Sequence, residues 1–131
     1  MGVVQGKRNA APNFSLEADR VQASQKGDQI AALQTTISNG ASNTSITALV
    51  GGSDFFDPLD GGVANFIELN STQELTIRIR TTGNAATAIA DLKPIKIRRN
   101  ITKTIDFVAD IENIYFTNSS GSTANLDIVC T

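Results

Sequence analysis

Large apolar residues recur at every second position through most of this chain, in short runs separated by turn-forming residues. The clearest run is Glu74 to Arg80, in which Leu75, Ile77 and Ile79 alternate with Thr76, Arg78 and Arg80. A period of two puts the first set on one face of a strand and the second on the other, so one face is core and the other is wet. Ile95 and Ile97 alternate with Lys96 and Arg98 in the same way, after Pro94, whose missing N–H is tolerated at a strand entrance. Leu33 and Ile37 run to Ser38-Asn39-Gly40, where Asn-Gly supplies the positive φ of a tight turn. Ile46 to Val50 stops at Gly51-Gly52, and Val63 to Leu69 stops at Asn70-Ser71. Ile105 and Phe107 continue toward Ile111, and Ile114 to Thr117 and Ala124 to Val129 flank a polar loop over Asn118 to Thr123, the pattern of a closing hairpin. The expected fold is all-β, an antiparallel β-sandwich or jelly-roll-like barrel of about seven to nine short strands. No alternation of strand and helix is visible, which argues against a parallel nucleotide-binding sheet.

Residues 1–29 break this pattern. Gly2, Gly6 and Gly27 punctuate a polar stretch with a Lys7-Arg8 pair and Pro12. Phe14, Ala18 and Val21 have helical spacing, with Asn13 or Ser15 available as a cap. The chain thus divides into an N-terminal arm, 1–29, extended or partly helical, and a β-domain, 30–131. A mobile tail and an extension that orders on a neighbouring subunit both fit such an arm.

Composition narrows the chemistry. With no histidine among 131 residues, Ser-His-Asp, Cys-His and His-ligated metal sites cannot be built within this chain. The single cysteine, Cys130, has no partner for an intramolecular disulfide, which suits a reducing compartment. It reads as a small apolar residue completing the face of Leu126 and Ile128. Charged residues make up 18% of the chain and the net charge is −2, so copies repel one another weakly and protein contacts form readily. No apolar run suits a signal peptide or a membrane span, and the expectation is a protein made in the cytoplasm with no membrane partner. The Asn-x-Ser/Thr triplets at Asn43, Asn70, Asn100 and Asn118 carry no weight in a chain so rich in these residues.

Three features remain as candidates for contact or chemistry. The segment Asp54-Phe55-Phe56-Asp57-Pro58-Leu59-Asp60-Gly61-Gly62 spaces three carboxylates three residues apart, but not with the spacing of an EF-hand, and an ordinary solvated loop is the simpler reading. Its Phe55-Phe56 pair is either an exposed interface anchor or a plug over the end of the sandwich. The third feature is basic: Arg78, Arg80, Lys93, Lys96, Arg98, Arg99 and Lys103 hold seven of the eleven positive charges, while residues 30–69 hold four acids and no base. If the two basic strands pair, their like charges repel, and an anionic partner would relieve that cost. Base-stacking aromatics are missing from these strands, so no specific nucleic acid is expected. A basic face meeting the acidic face of a neighbouring copy is preferred to a merely solvated sheet face.

A polar arm followed by a Thr/Ser/Asn/Ala-rich β-domain resembles small virion structural proteins of tailed bacteriophages, especially capsid decoration or cement proteins. The ending from Ile105-Asp106-Phe107 through Ile114-Tyr115-Phe116-Thr117-Asn118-Ser119-Ser120-Gly121 to Leu126-Asp127-Ile128-Val129 is similar to the terminal hairpins of phage β-sandwich modules. The resemblance implies a non-enzymatic virion protein that binds the outside of a head lattice, commonly as a trimer, and stiffens it. The partner would be the major capsid protein or another virion protein, with no cofactor and no metal. Contacts are assigned to Lys7, Arg8 and Phe14 in the arm, Phe55 and Phe56 in the loop, and Arg78, Arg80, Lys96 and Arg98 on the sheet. Two alternatives stay open. One is a tail, neck or fibre module that binds a receptor or carbohydrate, for which only Tyr115 could serve as a platform. The other is a small carboxylate-based hydrolase using Asp57 or Asp60.

Overall fold

The computed structural model describes residues 30–131. Seven strands form one antiparallel system: β1 (Ala31–Ile37), β2 (Thr44–Ser45), β3 (Ala64–Ser71), β4 (Leu75–Thr81), β5 (Ile95–Ile97), β6 (Lys103–Thr117) and β7 (Ala124–Cys130). Their order is β1-β7-β3-β6-β4-β5, with β2 alongside β6. The domain is therefore all-β and antiparallel, as the alternating pattern predicts.

The inward residues of strands far apart in this order belong to one cluster. Ile37 and Leu126 at one end pack in the same core as Ile67, Ile77, Ile97 and Phe116. A flat sheet cannot bring these together, so the sheet must fold over on itself. Strand β6 makes the fold. Its first residues pair with β3, Asp106 opposite Phe66 and Lys103 opposite Leu69. Its last residues pair with β4, Phe116 opposite Ile77 and Ile114 opposite Ile79.

Irregularities in the ladders mark the corner between these halves. On β3, Ala64 faces Ile111 while Phe66 already faces Asp106, so residues 107–110 of β6 bulge out opposite Asn65 alone. The amides of Asn65 and Phe66 both donate to the carbonyl of Thr131, at 2.9 and 3.0 Å, as happens where an extra residue is inserted into a strand. On the other side Arg80 faces Asn113 and Thr81 faces Ile111, leaving Glu112 without an opposite residue. This second slip moves the inward phase of β6 from odd positions (Ile105, Phe107, Ile111) to even ones (Ile114, Phe116). The Asn113 side chain accepts a hydrogen bond from the amide of Ile114 at 2.9 Å beside the slip.

Two expected strand boundaries are corrected here. Ile105 to Ile111 and Ile114 to Thr117 are one 15-residue strand: the change of phase between them is a bulge, not a turn. Ile46–Leu49, expected to be extended, is a single helical turn, α1. Ser45 sets it, because its hydroxyl accepts from the amide of Ala48 at 3.1 Å, and such a cap competes with sheet pairing.

The hairpin between β6 and β7 closes on Asn118, which is fully buried. Its amide nitrogen donates to the carbonyls of Ile37 at 2.9 Å and Ser122 at 2.8 Å. Its side-chain oxygen accepts from the amide and the hydroxyl of Ser120, at 3.0 and 2.7 Å. Its backbone carbonyl accepts from the amide of Gly40 at 2.8 Å, and its own amide donates to Ala41 at 2.9 Å. One polar residue thereby ties the β1 turn to the β6–β7 loop, fully satisfied as burial requires.

Candidate interaction surface

Arg78 and Arg80 point outward from β4, as alternation requires, but their guanidinium groups are turned onto the protein's own backbone. Arg80 Nη1 lies within donor distance of the carbonyls of Asn84 (3.3 Å), Ala85 (2.9 Å) and Thr87 (2.8 Å). Its Nε reaches the Tyr115 hydroxyl at 3.4 Å, and the guanidinium lies 5.9 Å from the centre of that ring. Arg78 Nη1 donates to the carbonyls of Ala90, at 3.1 Å, and of Leu92. The two arginines therefore clamp the segment 82–92 between β4 and β5. A planar fork of donors suits this task, since one side chain can serve several carbonyls.

The clamped segment is otherwise poor in reasons to be ordered. It is built mostly of Ala, Thr, Gly and Asn, with Ile89, Asp91 and Leu92 toward its end and short 3-10 turns at Thr82–Asn84 and Ile89–Asp91. Asn84 fastens its start: the side-chain oxygen accepts from the Thr81 amide at 2.8 Å, while the amide nitrogen donates to Ile79 at 3.3 Å. Leu92, buried, fastens its end. Between them Ala85, Ala86, Ala88 and Ala90 face solvent. Alanine side chains have no rotamer freedom to lose on contact, and the backbone behind them is already fixed.

This segment abuts the corner of β6. A methyl group placed on Gly83 would sit 3.7 Å from the Ala109 Cβ. The neighbouring Val108 is the most exposed large apolar residue of the domain, at 107% of its reference area. Val63, at the same end of the β3/β6 pair, is also exposed. The Asp110 carboxylate in the bulge accepts from the Asn65 side-chain Nδ2 at 2.9 Å, a link between two exposed side chains across the bulge. The result is a prominence of small and apolar side chains with acidic residues, Asp91, Asp110 and Glu112, around it, and hydrogen bonds from behind set the shape of its 82–92 part.

The other assigned contact residues fall in different places. Lys7, Arg8 and Phe14 lie outside the described residues. Phe55 and Phe56 are core side chains, with rings 5.3 Å apart and edge to face. The plug reading of that loop therefore describes them, and exposed anchors they are not, because the Asp54 carboxylate accepts from the Phe56 amide at 3.0 Å and turns the chain inward. Lys96 and Arg98 are exposed. Lys96 stands opposite Thr76 in the β4/β5 ladder, not opposite an arginine, and lies 3.7 Å from Glu74. The expected repulsion between basic strands is thus met by register, by Glu74 and by the carbonyls of the clamped loop.

Among the described residues no three Asp, Glu or Cys side chains converge as metal ligands. Burial pushes the Cys130 thiol from its ordinary value of 9.0 up to about 12, so the group is neutral and enclosed where a nucleophile needs to be ionised and accessible. The Val108 corner and the 82–92 loop carry no motif in the sequence. The signal available for them was a run of small residues between two strands and the clash of phase between Ile111 and Ile114.

No family model matches the chain, and no curated protein matches it. Among solved structures, a de novo designed double-stranded β-helix is similar with a TM-score of 0.44 and 8% identity, over 76% of this chain and 97% of that one. An RmlC-like cupin family protein with a double-stranded β-helix fold from Methanocaldococcus jannaschii has a TM-score of 0.42 at 8% identity, over 79% and 71%. A structure of Bacillus endospore appendages, described as a family of disulfide-linked pili, has a TM-score of 0.34 at 12% identity, over 79% and 88%.

Proposed function

We propose that this chain is a non-enzymatic structural protein that works by assembling with other proteins, of the virion decoration or cement type that its layout resembles. In this reading it attaches to a head lattice, with the major capsid protein as partner, and associates with itself as a trimer. The observation that supports the reading is the corner of β6, where fully exposed Val108 stands beside a backbone clamped by Arg78 and Arg80. An exposed apolar residue gains buried area on contact, and the clamped loop beside it has little freedom left to lose. Exposed Lys96 and Arg98 lie toward the opposite end of β4, beside Thr76 and beyond Leu75, and form a separate basic region through which an acidic neighbour would be steered.

Light scattering on the purified protein, at two concentrations and two salt levels, together with sedimentation against virion heads, tests this. Trimer formation or co-sedimentation that Val108→Asp abolishes is the expected outcome. A monomer that heads do not retain, or an assembly indifferent to Val108→Asp, overturns the reading.

A further inference from the structure

We infer that Asn39 is a latent site of covalent modification, a deamidation site held shut by the fold and released when the β1 turn opens. The chemistry belongs to the Asn39-Gly40 pair itself. The amide nitrogen of Gly40 can attack the side-chain carbonyl carbon of Asn39. The bond from that carbon to Nδ2 breaks and ammonia leaves with the proton given up by Gly40, closing a succinimide ring. Water then opens the ring at either carbonyl, giving aspartate or isoaspartate at position 39. Glycine favours this path because no Cβ obstructs the attacking nitrogen.

In the folded domain both reacting groups are engaged elsewhere. The Gly40 amide donates to the carbonyl of buried Asn118 at 2.8 Å. The side-chain oxygen of Asn39 accepts from the amide of Gly121 at 3.1 Å. Gly40 is fixed at φ +87°, and Ala41 closes the turn by donating to Ser38 at 3.1 Å. Cyclisation requires the Gly40 N–H to be surrendered by the Asn118 carbonyl, so it requires the turn to leave the Asn118 loop. Asn39 is nevertheless exposed, so water needs no further unfolding to reach the ring once it has formed.

The two products differ in what the fold can accept. An aspartate keeps an oxygen for Gly121, whereas isoaspartate routes the backbone through the former side chain and adds a methylene to a turn adjoining the Ile37–Ala124 pair. Opening of this turn would thus be recorded irreversibly.

The test is peptide mapping by mass spectrometry after incubation at mildly alkaline pH, comparing the native protein with the same chain in denaturant. The isomeric products are separated chromatographically, and Asn39→Gln serves as the unreactive control. Modification at position 39 is expected to be roughly tenfold or more slower in the native protein, since it must wait for local opening. Equal rates in the two states, or no reaction in denaturant, overturn the inference. Asn39→Asp is expected to melt close to the parent, and a large loss of stability in that variant would overturn the assignment of the products.

Discussion

Asn118 shows how much of this fold rests on single polar side chains. Replacing it with alanine removes two donors to Ile37 and Ser122 and the acceptor for Ser120, leaving buried groups unpaired. Asn118→Ala is expected to cost about 2–4 kcal/mol in denaturant unfolding, from several lost partners at about 1 kcal/mol or more each. Cys130 makes a prediction in pH. Its folded thiol titrates near 12 against an ordinary 9.0, so its contribution to stability is complete below pH 9 and is lost as pH rises from there toward 12. Thermal melts across that range should fall for the parent and fall less for Cys130→Ala, after allowing for the small cavity. At neutral pH a thiol reagent should label Cys130 only as the domain unfolds.

Elements were legible in proportion to how strictly they alternate. β4 shows a clean period of two, β7 shows one up to Ile128, and both lie where that period puts them. β6 reads as two strands because its apolar phase changes between Ile111 and Ile114, and a sequence does not distinguish a phase slip made by a bulge from one made by a turn. Ile46–Leu49 looked extended because four residues are too few to separate the two periods, and the Ser45 hydroxyl decided the matter. The roles of Arg78 and Arg80 were not legible at all, because their partners are backbone carbonyls that every sequence possesses. Removing the Arg80 clamp should loosen the 82–92 loop without unfolding the sheet. Arg80→Ala is expected to cost about 1–2 kcal/mol and to speed amide hydrogen exchange across residues 84–92. Arg80→Lys should restore little of this, since an ammonium cannot reproduce the fork. Val108→Asp, by contrast, should leave the melt within about 0.5 kcal/mol of the parent, so that any loss of assembly reports on contact and not on folding.

As a whole molecule the domain is built from pairings between distant parts of the chain. Ala31 stands beside Cys130, and β3 lies between β6 and β7. Such a topology closes long loops before it gains contacts, so refolding is expected in milliseconds to seconds, which stopped-flow dilution from denaturant would measure. The same pairing has a mechanical consequence. Because residues 30 and 131 emerge side by side at one end of the β1/β7 ladder, tension applied between them does not shear that ladder. It peels the two strands apart one rung at a time, so the domain yields at low force along this axis. Tension applied instead across the far ends of β6 would load many rungs together, and the same protein would behave as a stiff link.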